Sequence, residues 1–224
     1  MIEDNIRISR FSSMYPDSLE NFLSSKHIVI GAGSIGGNVI KTLAQIGVKY
    51  IMIIDHDKVE PGNFATQGFN LNDNLEYKAK IRKKECEELN LAVKVKTHNQ
   101  RFNPKNHYPK NAYWWVCIDN LEDRFKIYKT AIEYDFYRLI DARMSALSYI
   151  VYTPNINHED HLFSYEQETL VAMKNPINEG CTTKATPHCA MIAACIALQL
   201  GLSSNPPFKV EGDLVSYKQQ ATFL

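Results

Sequence analysis

Gly31-Ala32-Gly33-Ser34-Ile35-Gly36 fits G-x-G-x-x-G, a pattern whose chemistry is the holding of phosphate. Without Cβ atoms the backbone turns tightly and phosphate oxygens can approach the first N–H groups of a following helix, where the partial positive charge favours anions. Asp55, at the end of the next apolar run, is placed to accept hydrogen bonds from ribose hydroxyls. A turn made only for packing is the other use of such glycines. NAD and ATP both suit this loop, so the glycines name a nucleotide and leave the reaction open.

The elements that must position these residues alternate between strand and helix. Lys26 to Ile30 is a short β-branched run ending in the glycines, and Ile35, Val39, Ile40, Leu43 and Ile46 then recur at helical spacing until Gly47. Tyr50 to Ile54 is a second apolar run, which predicts a strand–helix–strand unit of a parallel sheet covered on both faces. A long polar loop from Asp55 to Asn74 carries Pro61-Gly62-Asn63, and loops of that length are usually functional. The pattern goes on to predict a charged helix over Glu76 to Leu89 and a strand over Val93 to Thr97. A strand over Tyr113 to Ile118, a helix over Leu121 to Tyr134 and a strand at Leu139 to Asp141 follow. Ala146 to Tyr152 alternates like a strand, Asn155 to His161 is a polar loop, Cys189 to Leu200 an apolar helix, and Lys209 to Tyr217 a final strand or hairpin. The expected fold is therefore α/β and Rossmann-like: a mostly parallel sheet with helices on both faces and a small C-terminal lobe. It is expected as one domain over 1–224, with an N-terminal arm and helix (1–25), a nucleotide-binding core (26–145) and a C-terminal lobe (146–224).

Composition narrows the class. The chain has 224 residues, 45% of them hydrophobic, with 25 basic side chains against 25 acidic ones, which excludes a disordered or collagenous polymer. Zero formal net charge gives no electrostatic footprint for nucleic acid or anionic membrane. Five cysteines without a C-x-x-C pair read as reduced thiols, with zinc disfavoured by spacing. The polar N-terminus and the shortness of the longest apolar run, Cys189 to Leu198, predict a soluble cytoplasmic protein with no membrane partner.

What discriminates between nucleotides lies beyond the glycines. Asp55-His56-Asp57-Lys58-Val59-Glu60-Pro61-Gly62-Asn63-Phe64-Ala65-Thr66-Gln67, then Lys78-Ala79, then Asp119-Asn120 with Arg124, follow the loop in order. This order resembles the ThiF/MoeB/HesA family of ubiquitin-like and sulfur-carrier activating enzymes, whose pattern is D-x-D-x-V-x-x-x-N-x-x-x-Q, a lysine near K-A, and D-N-x-x-x-R. The resemblance runs from about Arg7 to Asn120 and more loosely through Ile196. It implies adenylation, in which a protein's C-terminal carboxylate attacks the α-phosphorus of ATP and releases pyrophosphate. It also implies roles: Asp55 as ribose ligand, Lys78 as phosphate-stabilising cation, Asp119 as the Mg²⁺ carboxylate, and Asn63 and Gln67 as nucleotide contacts. Asp57 and the glycines Gly31, Gly33 and Gly36 join the nucleotide set.

Three further segments extend the resemblance. Arg7-Ile8-Ser9-Arg10-Phe11 is similar to the family's R-Y-S-R-Q, in which an arginine, here Arg10, enters the partner subunit's site, so a homodimer is implied; Phe11 stands in place of glutamine. Cys181-Thr182-Thr183-Lys184-Ala185-Thr186-Pro187-His188-Cys189 is similar to the segment around the thioester cysteine. There Cys181, beside Lys184 and His188, is a candidate nucleophile that could take the acyl group from the adenylate. Cys189 is a weaker candidate, and Cys86, Cys117 and Cys195 are expected in the core. Asp141-Ala142-Arg143-Met144 is similar to D-G-R-M of shorter, often phage-encoded or plasmid-encoded, members.

The sequence also departs from the pattern. Thr66 stands where the family has arginine, with Lys58 or Arg143 as candidate substitutes, and the zinc C-x-x-C pairs are missing. The implied cofactors are ATP and Mg²⁺, and the implied partner is a small ubiquitin-like or sulfur-carrier protein or a precursor peptide. Three other functions remain open: adenylation of a small molecule or a modified tRNA base, NAD-dependent oxidation, and a non-catalytic nucleotide-binding module, the last motivated by Thr66.

Overall fold

A computed structural model describes residues 6, 8–174 and 186–224. After a short N-terminal helix, α1 (Leu19–Ser24), come β1 (Lys26–Ile30), α2 (Ser34–Ile46) and β2 (Tyr50–Ile54). The loop expected after Asp55 contains a four-residue helix, α3 (Phe64–Gln67), before α4 (Lys78–Leu89) and β3 (Lys94–His98). The chain continues through β4 (Tyr113–Val116), α5 (Leu121–Glu133), β5 (Arg138–Ser145) and β6 (Ser148–Tyr152). Then come α6 (Glu159–Lys174), α7 (Pro187–Leu202), β7 (Lys209–Asp213) and β8 (Lys218–Thr222).

The eight strands form one sheet in the order β3-β2-β1-β4-β5-β6-β7-β8. The pairs from β3 to β5 are parallel, whereas β5-β6, β6-β7 and β7-β8 are antiparallel. The expected Rossmann-like α/β sheet is thus present, and residues 146–224 add three strands to the same sheet. Two cores result from the strand alternation. Val29, Ile51, Ile53, Trp115 and Ile140 face α1, α2 and the alanine-rich α7 on one side. Ile28, Ile30, Trp114, Val116 and Leu139 face α5 and Tyr165 of α6 on the other. Asn155 to His161 is only partly loop, because α6 begins at Glu159. No described helix is long and apolar enough to cross a membrane.

Strand order reverses between β1 and β4, the neighbours on either side of the point where an open α/β sheet leaves a crevice at its carboxyl edge. The glycine loop leaves β1 at that crevice, Asp55 leaves β2, and Cys117 to Asp119 leave β4.

Candidate active site

A cleft of about 820 Å³ lies at this edge, lined among others by Gly31, Gly33, Asp55, Asp57, Asn63, Thr66, Gln67, Lys78 and Asp119. Residues separated by almost ninety positions in sequence therefore share one space. Gly31 adopts a φ of +93°, and a Cβ there would lie 2.5 Å from the Cys117 carbonyl oxygen, so only glycine lets the loop cross β4 this closely. Gly36 does not line the cleft; a Cβ on it would fall 1.8 Å from the Gly31 carbonyl oxygen, so its role is to let α2 close against the loop.

Asp55 is buried, and its two carboxylate oxygens accept from the backbone N–H groups of Ala32 at 2.6 Å and Asp57 at 2.7 Å. Burial raises its carboxyl above the usual range, and the two amides pull in the opposite direction. Lys78, at the first turn of α4, is buried and donates through Nζ to Asp57 Oδ2 at 3.1 Å. His56 Nε2 lies 3.2 Å from Asp57 Oδ1. Asp55, His56 and Asp57 bring one ligand atom each within 4.8 Å of one another. Asp119 is exposed at the cleft, with no hydrogen-bond or ion-pair partner among the described residues. The next residue, Asn120, caps α5 by accepting from the Asp123 N–H at 2.9 Å.

Whether nucleotide phosphate fits can be judged from two features. Gln67 carries a buried Oε1 without a hydrogen-bond partner among the described residues, and a Cβ on Gly33 would stand 3.4 Å from that oxygen. A buried polar atom without a partner costs stability, and here it borders a space kept free of side chains. The cations Lys58, Lys78 and Arg101 line the same cleft. The donor set suits a polyanion with a carboxylate-held cation beside it.

Several expectations need correction. Arg143, a candidate stand-in for the arginine missing at Thr66, is not in the cleft: its Nε and Nη2 donate to Asp141 Oδ2 at 2.9 and 2.6 Å. Arg124, which closes the D-N-x-x-x-R pattern, does reach the cleft lining, buried and donating to Asp141 and to the carbonyls of Val116, Ile118 and Ala142. Cys195 is exposed rather than core, and Cys117 is half-buried on the cleft wall, its thiol pushed up to about 12 by burial. Cys86 is core as expected. Cys189 is buried with its thiol raised by desolvation, the wrong environment for a thiolate nucleophile. Arg10 is exposed and lies away from the cleft of its own chain. Cys181 and Lys184 lie outside the described residues. Sequence reasoning passed over Arg82, a buried arginine whose only signal is its position four residues after Lys78.

The chain belongs to the ThiF family, whose model matches residues 5–219. Among curated proteins it is similar to the adenylyltransferase and sulfurtransferase uba4 of Ogataea parapolymorpha, 29% identical over 119 residues that cover 51% of this chain and 30% of that protein. It is also similar to the sulfur carrier protein adenylyltransferase of Thermus thermophilus, 28% identical over 92 residues covering 41% of this chain and 34% of that protein. The matched stretches thus span about a third of these relatives. Among solved structures, E. coli MccB with AMPCPP and MccA superposes with a TM-score of 0.75 at 19% identity, covering 99% of this chain and 72% of that one. At that identity the likeness is one of fold.

Proposed function

We propose that this chain uses ATP to adenylate the C-terminal carboxylate of a small ubiquitin-like or sulfur-carrier protein or a precursor peptide. The observation that carries the reading is the gathering of Gly31, Gly33, Asp55, Lys78, Asp119 and the unpartnered Gln67 Oε1 around one cleft. Relatives named as adenylyltransferases support it.

In the reaction, a carboxylate oxygen of the carrier forms a bond to the α-phosphorus while the bond from that phosphorus to the bridging oxygen breaks, and pyrophosphate leaves. The glycine loop and the N-terminus of α2 receive phosphate oxygens, Asp55 the ribose hydroxyls, and Asn63 and Gln67 the nucleotide. Lys78 offsets charge that grows on the phosphates in the transition state. Asp119 would hold Mg²⁺, which supplies further neutralisation of phosphate charge. Arg10 of a second copy would complete the site of a homodimer. Cys181, as thiolate, would attack the carbonyl of the acyl-adenylate and release AMP, forming a thioester.

The test is pyrophosphate exchange into ATP in the presence of candidate carriers. Carrier-dependent exchange that Asp119→Ala abolishes is the expected result. Binding of NAD in preference to Mg·ATP, or exchange indifferent to Asp119→Ala, would overturn the reading. A second reading, a nucleotide-binding module without catalysis, is favoured by Thr66, which gives the cleft wall a hydroxyl where a bidentate cation is expected. ATP binding without exchange for any carrier would select it.

A further inference from the structure

We propose that Arg82 is the positioning residue of the cleft: its guanidinium ties the glycine loop to the helix carrying Thr66 and Gln67, and Gly37 lacks a side chain so that it can reach both. Its value for nucleotide affinity rests on the reading of the cleft given above; the tie itself does not.

Arg82 lies one turn beyond Lys78 on α4 and is 3% exposed. Nε donates to the Ala32 carbonyl in the glycine loop at 3.4 Å, and Nη2 donates to the Gln67 carbonyl at the end of α3. Nη1 donates to both oxygens of Glu85 at 3.0 and 2.8 Å, which neutralises the buried charge. The guanidinium carbon, Cζ, lies 4.0 Å from the centroid of the Phe69 ring. Beneath it is α2: a Cβ built on Gly37 would stand 2.6 Å from Nη2. Gly37 does not line the cleft and neither does Arg82, so neither touches a ligand there.

The arrangement answers a question posed by α3. A helix of four residues has no stability of its own, since nucleation alone costs more than its few bonds return. Its placement must come from tertiary contacts, and a three-acceptor fork is one that only arginine supplies. Arg82 therefore sets where Gln67 stands against Gly33, and so the width of the space between loop and helix. A lysine has the charge and lacks the fork.

Arg82→Met, Arg82→Lys and Gly37→Ala in the full chain test this. The readouts are the dissociation constant for Mg·ATP, KM and kcat in pyrophosphate exchange, and amide hydrogen exchange without nucleotide. Arg82→Met is expected to weaken Mg·ATP binding roughly tenfold, the scale of one charge-assisted hydrogen bond, raising KM while kcat at saturation holds within about twofold. Gly37→Ala should reproduce the effect with no change of charge, and Arg82→Lys should fail to rescue it. Amides of residues 31–36 and 63–68 should exchange faster together in each variant. Folded variants in which both segments keep their wild-type exchange, or only one accelerates, would overturn the proposal. If Arg82→Met does not fold, Gly37→Ala decides. A wild-type chain that binds no Mg·ATP would sink the reading of the cleft, while the exchange data would still judge the tie.

Discussion

Lys78 Nζ and Asp57 Oδ2 stand 3.1 Å apart, with the lysine side chain 7% exposed and the aspartate 49% exposed. An ammonium withdrawn from water requires a counter-charge, and Asp57 supplies it from the cleft side. The pair thus holds a cation ready at the wall where phosphate charge would grow. Lys78→Met keeps the apolar stem and removes the charge, so the expected outcome is a fall in exchange rate of about 10²- to 10³-fold with the thermal midpoint nearly unchanged. Asp57→Ala should do the reverse to stability, lowering the midpoint by leaving the ammonium unpaired. Comparable midpoints for both variants would show that the pair does not hold Lys78.

Thr66 offers the complementary experiment. It is half-buried on the cleft wall, one residue before Gln67, and Lys58, the candidate replacement for the missing arginine that does line the cleft, lies with Nζ 5.1 Å from the Tyr77 ring centroid. Thr66→Arg restores a bidentate phosphate donor, and we expect kcat/KM for ATP in exchange to rise about tenfold. An unchanged rate, together with a loss in Lys58→Ala, would assign the phosphate to Lys58 instead.

The cleft end of this fold was legible because a parallel sheet buried on both faces writes its strands as unbroken apolar runs. Its ligand loops then follow at the carboxyl ends, so Gly31, Asp55 and Asp119 could be placed at one edge from sequence alone. Helix α6 was not legible. Its buried residues, His161, Tyr165 and Thr169, recur every four positions, yet none is aliphatic and all three carry a polar group, so no apolar period betrays them. The burial of Arg82 and Arg124 was hidden for a related reason: arginine reads as surface, and only the folded chain gathers the carbonyl acceptors that let each be buried. Charge alone makes Arg143 a candidate, beside Lys58, to replace the missing arginine, whereas a charge inside the protein goes where its counter-ion is, here Asp141.

His27 makes a pH-dependent contribution that can be isolated. Its Nε2–H donates to the Phe22 carbonyl at 2.7 Å and its Nδ1 accepts from the indole N–H of Trp115 at 3.1 Å, which fixes one neutral tautomer. Burial holds its pKa down to about 4, against the pull of the Phe22 carbonyl, while the unfolded chain titrates near 6.5. Between those values the unfolded state binds a proton that the native ring refuses, so stability falls as pH falls. The slope is about 1.4 kcal/mol per pH unit, or about 3 kcal/mol by the bottom of the window. His98, also lowered by burial, adds to the slope in the same direction. Urea denaturation at pH 7, 6 and 5 should show His27→Gln less stable at pH 7 but with a shallower decline. Parallel declines in the two proteins would exclude His27 as a source.

Asp141 acts in a separate, more acidic window and bears on the cleft through Arg124. Its fully buried carboxylate takes Arg124 on one oxygen, and Arg143 and the Tyr165 hydroxyl, at 2.7 Å, on the other. Burial alone would raise this carboxyl, but the two guanidinium groups outweigh it and hold it below the usual 3.8. A folded value depressed in this way contributes stability that is present above the ordinary value and lost as pH drops through the depressed one. Asp141→Asn leaves two arginines without their counter-charge and should cost about 3–5 kcal/mol at pH 7, with a flatter acid limb below pH about 4. Arg124 also donates to the Val116 carbonyl at 3.2 Å and to that of Ile118, the residue before Asp119. Once Asp141 is neutral, the anchor of that carbonyl ladder weakens, so exchange activity measured at a temperature where the variant is still folded should fall as well. Full activity in a folded Asp141→Asn chain would mean that the buried network supports the sheet alone and leaves the Asp119 carboxylate where it was.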